Sequence, residues 1–184
     1  MNLIYTIGHS TREIDEFIKL LREHSVQMLV DVRRFPGSRR HPQYNKGNLE
    51  RSLKDAQIRY EHFEDLGGRR GEPAPDSLND GWKVSGFRAY ADYINTEQGR
   101  AAVERLPGIP ENHRTVIMCA ESLPWKCHRQ IIADVLVARG IEVYHIIDHG
   151  KLEVHTLNPL AKILRGNTVI YPSDKPQYTL FNKE

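Results

Sequence analysis

Short β-branched runs and amphipathic runs alternate along this chain, and the strand-like runs stop at clusters of polar residues. That alternation constrains the fold more than any other feature. LIYTIG (3–8) ends in glycine and reads as a buried strand. Ile14, Phe17, Ile18 and Leu21 follow at i, i+3, i+4, i+7, one buried helical face, with Ser10 or Thr11 as the expected cap. VQMLVDV (26–32), IRYEHF (58–63), RTVIMCA (114–120) and EVYHII (142–147) read as the next strands. Helices are expected around Leu49, Leu53 and Ala56, and as one unit from Phe87 through Tyr90, Ala91 and Ile94 to the turn LPGIP. A further helix, CHRQIIADVLVARG (127–140), is closed by Gly140. Asn158 and Pro159 have the pattern of a cap and first turn, predicting a short last helix that ends at Gly166.

Strands alternating with helices imply right-handed crossovers and an α/β fold. The expectation is a single three-layer domain over 1–184, with a mostly parallel sheet of about five strands and helices on both faces. Its core covers about 1–150, followed by a C-terminal helix and proline-rich tail over 151–184. At 184 residues, with 39% hydrophobic and 27% charged side chains, the chain suits one folded core rather than disorder. Ligands of such sheets bind beyond the carboxyl ends of the strands. Gly8, His9 and Ser10 follow the first strand; Asp31, Arg33 and Arg34 the second; Asp65, Gly67 and Gly68 the third; Cys119 and Glu121 the fourth. All should share one rim.

IMCAESLPWKCHRQII (117–132) holds both cysteines between a strand and a helix. Rhodaneses and cysteine phosphatases use a similar layout, but their Cys-x5-Arg spacing is absent, since Trp125 and Ala133 stand where the arginine would be. Cys119 reads equally well as a core thiol. Cys127 is the candidate nucleophile, because a helix start and cationic neighbours lower a thiol pKa. On a helix Cys127 and His128 would diverge, so they are not expected to pair. Cys119, Cys127, His128 and His9 could ligate a metal, yet their spacing matches no zinc pattern, and no metal site is expected. Asp31, Asp65 and Glu121 offer a cation beside phosphates as a lesser reading.

His9 has no capping duty and suits proton transfer. Glu121 and Asp31 are acid–base candidates whose plainer roles are to accept helix N–H bonds and to pair with an arginine. The loop RRFPGSRRHPQY (33–44) supplies Arg33, Ser38 and Arg39 for an anion, joined by Gly67, Gly68, His128 and Arg129. Arg129 would do so from a helix first turn. TIGHS lacks the further glycines of a dinucleotide fingerprint and no P-loop lysine follows, so no cofactor is indicated. The segments 35–47 and 68–86 are expected to be mobile binding loops.

A net charge of +2 with clustered arginines points to a focused anionic partner, a small molecule or nucleic acid. No signal peptide is evident, and no apolar run approaches the roughly 18 residues of a membrane span, so a cytoplasmic protein without a membrane partner is expected. In that compartment the two thiols should remain reduced, without a Cys119–Cys127 disulfide.

TIGHS (6–10), DVRRFPGS (31–38), LGGRR (66–70) and MCAESLPWKCHR (118–129), in that order, resemble the family catalogued as domain of unknown function 488. The resemblance runs from about Thr6 to about His145. It implies a compact α/β domain whose polar pocket is formed by those motifs, and it implies no particular reaction. The functional expectation is a protein that binds a phosphate-bearing or other anionic ligand, such as a nucleotide or nucleic-acid end, at the C-terminal edge of its sheet. Hydrolysis or group transfer would follow, with His9 and Glu121 handling protons, Arg33, Arg39 and Arg129 holding the anion, and Cys127 as optional nucleophile. The alternatives are a non-enzymatic nucleic-acid or nucleotide binder and a thiol- or metal-dependent redox protein centred on Cys119 and Cys127.

Overall fold

Successive side chains of a strand face opposite sides of the sheet, and here they sort into two apolar layers. In β1 (Leu3–Gly8), Tyr5 and Ile7 join one cluster and Ile4 the other. In β2 (Met28–Asp31), Leu29 goes with the first and Val30 with the second; in β4 (Thr115–Cys119), Val116 and Met118 oppose Ile117 and Cys119. The first layer is covered by Phe17, Leu20 and Leu21 of α1 (Ile14–Glu23) and by Leu49 and Leu53 of α2 (Lys46–Asp55). The second is covered by α3 (Ser85–Ile94), α4 (Glu97–Glu104) and α5 (Arg129–Ala138). The computed structural model describes residues 3–106 and 113–173.

β1, β2, β3 (Arg59–His62), β4 and β5 (Glu142–Asp148) pair in parallel, and β6 (Lys151–Val154) adds an antiparallel edge. The order is β3-β2-β4-β1-β5-β6. The chain leaves β1 through α1 on one face and leaves the adjacent β4 through α5 on the other. Their carboxyl-end loops therefore part at a topological switch point, where such sheets form ligand crevices.

The structure corrects several local expectations. The last helix at Asn158–Gly166 does not form. β7 (Lys162–Leu164) and β8 (Thr168–Ile170) make an antiparallel pair instead. Gly166 and Asn167 both have left-handed φ (72° and 58°), so the glycine turns a hairpin rather than ending a helix. Val169 and Tyr171 are fully buried under α3 and α5, so the core extends past residue 150. Residues 174–184 of the expected tail lie outside the described residues. The helix foreseen from Phe87 divides at Asn95–Thr96, where Thr96 Oγ1 accepts the Gly99 N–H and caps α4. Neither Ser10 nor Thr11 caps α1. The Ser10 N–H continues the sheet by donating to the Ala120 carbonyl, and Glu13 occupies the cap position without a side-chain bond.

Candidate functional site

Two glycines allow the crevice to form. A Cβ on Gly8 would lie 1.7 Å from the Glu121 carbonyl oxygen, so only glycine lets the loop after β4 cross the end of β1. A Cβ on Gly67 would lie 2.7 Å from Arg34 Cα. Between these crossings lies a cleft of about 300 Å³, lined by Arg33, Arg34, Arg69, Cys119, Glu121, Cys127 and His128, with Gly68 packed against the His128 ring.

On the α1–α2 face sit His9, Asp31 and Arg33. Asp31 is fully buried and accepts Arg33 Nε at 2.9 Å, Arg33 Nη2 at 2.6 Å, the Arg33 backbone N–H at 3.0 Å and the Tyr60 hydroxyl at 2.9 Å. Its lone pairs are thus spent on holding Arg33. His9 stacks on Tyr44 with ring centroids 4.0 Å apart and puts Nδ1 2.8 Å from the Ser10 carbonyl. That carbonyl requires an Nδ1–H, leaving the Nε2 lone pair toward Arg33 Nη1 at 3.4 Å. Burial, with the Arg33 charge adding to it, lowers the His9 pKa to about 4. His9 is neutral at physiological pH and acts as an acceptor.

On the opposite face sit the thiols. Cys127 adopts an extended backbone (φ −139°, ψ 153°) between the short 3-10 turn Pro124–Lys126 and α5. This overturns the expectation that Cys127 and His128 diverge. Cys127 precedes the helix instead of lying on it, and its Sγ meets His128 Nδ1 at 3.4 Å. His128 Nε2 lies 3.0 Å from the Val32 carbonyl, which demands a proton there and leaves Nδ1 as the acceptor. Burial lowers the His128 pKa and keeps the ring neutral. Cys119 Sγ is 2.8 Å from Cys127 Sγ, and both cysteines are free thiols. Burial opposes the Cys127 thiolate, but the hydrogen bond from Cys119, the Arg129 charge and the Arg129 N–H outweigh it and bring the pKa to about 7. Burial and the bond to Cys127 push the Cys119 pKa well up.

Arg129 is 1% exposed, and the first turn of α5 directs its side chain inward. Nε donates to Cys119 Sγ at 3.0 Å, Nη1 to Thr6 Oγ1 at 3.0 Å, and Nη2 to the carbonyls of Glu121 and Ser122 at 2.5 and 3.3 Å. From Thr6 a chain of side chains continues: His145 Nδ1 at 2.7 Å, His145 Nε2 to His155 Nδ1 at 2.9 Å, and His155 Nε2 to Asp134 Oδ1 at 2.8 Å. Asp134 also accepts the Tyr171 hydroxyl at 2.7 Å. A carboxylate accepts only, so His155 Nε2 donates to Asp134, and at the other end Thr6 Oγ1 accepts from Arg129. His145 is held neutral by burial and by its neighbours His155 and Arg129, with its pKa lowered to about 3.

The remaining candidates have plainer surroundings. Ser38 Oγ accepts the backbone N–H groups of Arg40 and His41, and Arg39 is exposed away from the cleft lining. Glu121 is exposed and lines the cleft. Asp65 faces Gln98 and Arg105 instead. Among the described residues no group of three His, Cys, Asp or Glu side chains is placed to hold a metal ion, and no helix is long and apolar enough to cross a membrane. The loop over 68–86 is tied by Asp92, which accepts bonds from Ala74, Ser77 and Asn79. The sequence placed Arg34 on the rim without assigning it to the anion, and it did not point to Arg69 as a lining cation or to the run Thr6–His145–His155–Asp134. One signal was present: an aspartate inside the apolar stretch IIADVL needs a buried partner.

The chain belongs to the family described as Domain of unknown function DUF488, which matches residues 13–136. No curated protein and no solved structure matches it.

Proposed function

We propose that this DUF488 chain is a cysteine-dependent enzyme that binds an anionic ligand in the arginine-lined cleft and attacks it with Cys127. One observation carries the reading. The cleft that presents Arg33, Arg34 and Arg69 also presents a sulfur in contact with a thiol donor, a neutral imidazole acceptor and a helix N–H. His128 takes the Cys127 proton, and Arg129 and Cys119 stabilise the thiolate. Arg33, oriented by Asp31, and the more exposed Arg34 and Arg69 hold the anion, whether phosphate or another charged group. Glu121 at the exposed edge serves proton exchange with water, while neutral His9 keeps Arg33 in place. Reaction by group transfer to Cys127, followed by hydrolysis or onward transfer, fits this set. A non-enzymatic binder would use the same arginines and leave the thiols idle.

Alkylation distinguishes the two. Anionic iodoacetate and neutral iodoacetamide are compared across pH, with and without inorganic phosphate. The expected rate midpoint is near 7, with a preference for iodoacetate over that of a free thiol, suppressed by phosphate or salt. A midpoint above 8 with no anion preference would sink the proposal.

A further inference from the structure

Taking Cys127 as the nucleophile, we infer that the substrate is an anionic disulfide and that Cys119 is the resolving thiol, leaving a Cys119–Cys127 disulfide after one turnover. A thiolate engaged in acyl or phosphoryl transfer needs a base and anion donors, which His128, Arg129 and the cleft arginines already supply. Beyond one more hydrogen bond to that thiolate, it has no use for a second thiol in contact with its own sulfur. A sulfur-linked intermediate does, because a mixed disulfide is discharged by a thiol attacking along the S–S axis. Cys119 Sγ lies 2.8 Å from the sulfur it would attack, and the Arg129 guanidinium reaches Cys119 Sγ at 3.0 Å. The two sulfurs need close by only about 0.8 Å to reach bonding distance.

The steps balance. The Cys127 thiolate attacks one sulfur of RS–SR, the S–S bond breaks, and RS⁻ leaves with the bonding pair while Cys127–S–SR forms. Cys127 no longer carries charge, so the bond that kept Cys119 protonated is gone, and Arg129 Nε faces the Cys119 thiolate that forms. Cys119 attacks Cys127 Sγ, the second RS⁻ leaves, and the Cys119 proton accompanies it as RSH. The substrate gains two electrons, and the dithiol loses two. Return to the reduced state takes two successive exchanges with one dithiol reductant, which leaves as its own disulfide. The arginines of the cleft select an R group bearing carboxylate, sulfonate or phosphate.

The probe is dithiobis(nitrobenzoate), a dianionic disulfide whose released thiolate is coloured, set against neutral dithiodipyridine. The chain has two cysteines, so stoichiometry is unambiguous. Reduced wild type is expected to release two thiolates per chain and to retain none by intact mass. Cys119→Ser releases one and retains one, and Cys127→Ser loses the rapid phase. In Arg34→Gln/Arg69→Gln the preference for the anionic probe falls about tenfold. If wild type releases one thiolate and keeps the adduct, or carries two adducts, the resolving role of Cys119 is wrong while Cys127 can still be the nucleophile. If Cys127→Ser reacts as fast as wild type, the nucleophile assignment itself falls. The wild-type count needs no variant, so a substitution that fails to fold leaves the inference open to refutation.

Discussion

Two buried arginines, Arg33 and Arg129, stand at the same edge of the sheet on opposite faces. Their surroundings differ in one respect. Arg33 meets its counter-charge directly: Asp31 grips it with two side-chain bonds and one backbone bond, and Tyr60 completes the carboxylate. Arg129 touches a thiol, a hydroxyl and two carbonyls. The carboxylate that its hydrogen-bond chain reaches is Asp134, beyond Thr6, His145 and His155. A positive charge neutralised on contact is a rigid post. One whose counter-charge stands at a distance still has field to spend on its neighbours, and those neighbours are the two sulfurs.

The contrast can be broken from either side. The largest effect is expected from Asp31→Asn, which leaves Arg33 buried beside an amide and should cost about 3–5 kcal/mol of stability. Urea unfolding measures it, and the Cys127 alkylation midpoint should stay near 7 in whatever folded fraction remains. Arg129→Gln should act the other way round. The midpoint should rise toward the ordinary thiol value, lowering alkylation at pH 7 on the order of tenfold. A melting curve that collapses while the thiol titration holds would show Arg129 to be only a fastener.

Thr6→Val removes the acceptor for Arg129 Nη1 and interrupts the run to Asp134. Its effect on the midpoint should be smaller than that of Arg129→Gln and in the same direction. Thr6→Ser should restore the wild-type value, and equal midpoints in both variants would show that the relay does not influence the thiols.

The last contrast concerns acid. Each face holds a histidine kept neutral, His9 with pKa about 4 and His145 about 3, against an ordinary 6.5. Below 6.5 the unfolded chain binds protons that the folded one refuses. Stability is therefore full above 6.5, declines as pH falls, and levels off for His9 only near 4. Urea midpoints at pH 7 and pH 5 should differ, and His9→Asn should shrink the difference. An unchanged slope in that variant would locate the acid sensitivity elsewhere.

Much of the architecture was legible along the chain. Short continuous apolar runs between i, i+3, i+4 stretches leave few arrangements other than helices on both faces of a parallel sheet, and parallel strands bring their carboxyl ends to one edge. Gly8, Asp31, Gly67, Cys119 and Glu121 could be placed there without coordinates. The C-terminal hairpin was not legible, because a lone glycine after a short apolar run ends a helix and turns a hairpin equally well. What remained hidden at the site has a common cause. Spacing tells which residues reach an edge but not which way a side chain turns once there. Arg129 turns inward and Arg34 lines the cleft because the loop after β4 crosses Gly8 and the stretch at Arg34 crosses Gly67. Cys127 meets His128 because its backbone is extended just before the helix begins. Contact between the two sulfurs, eight residues apart, and alignment of Thr6, His145, His155 and Asp134 from β1, β5, the loop after β6 and α5 are non-local. Only packing of β1, β4, β5 and α5 around a shared interior could decide them, since no local pattern encodes a hydrogen bond across the fold.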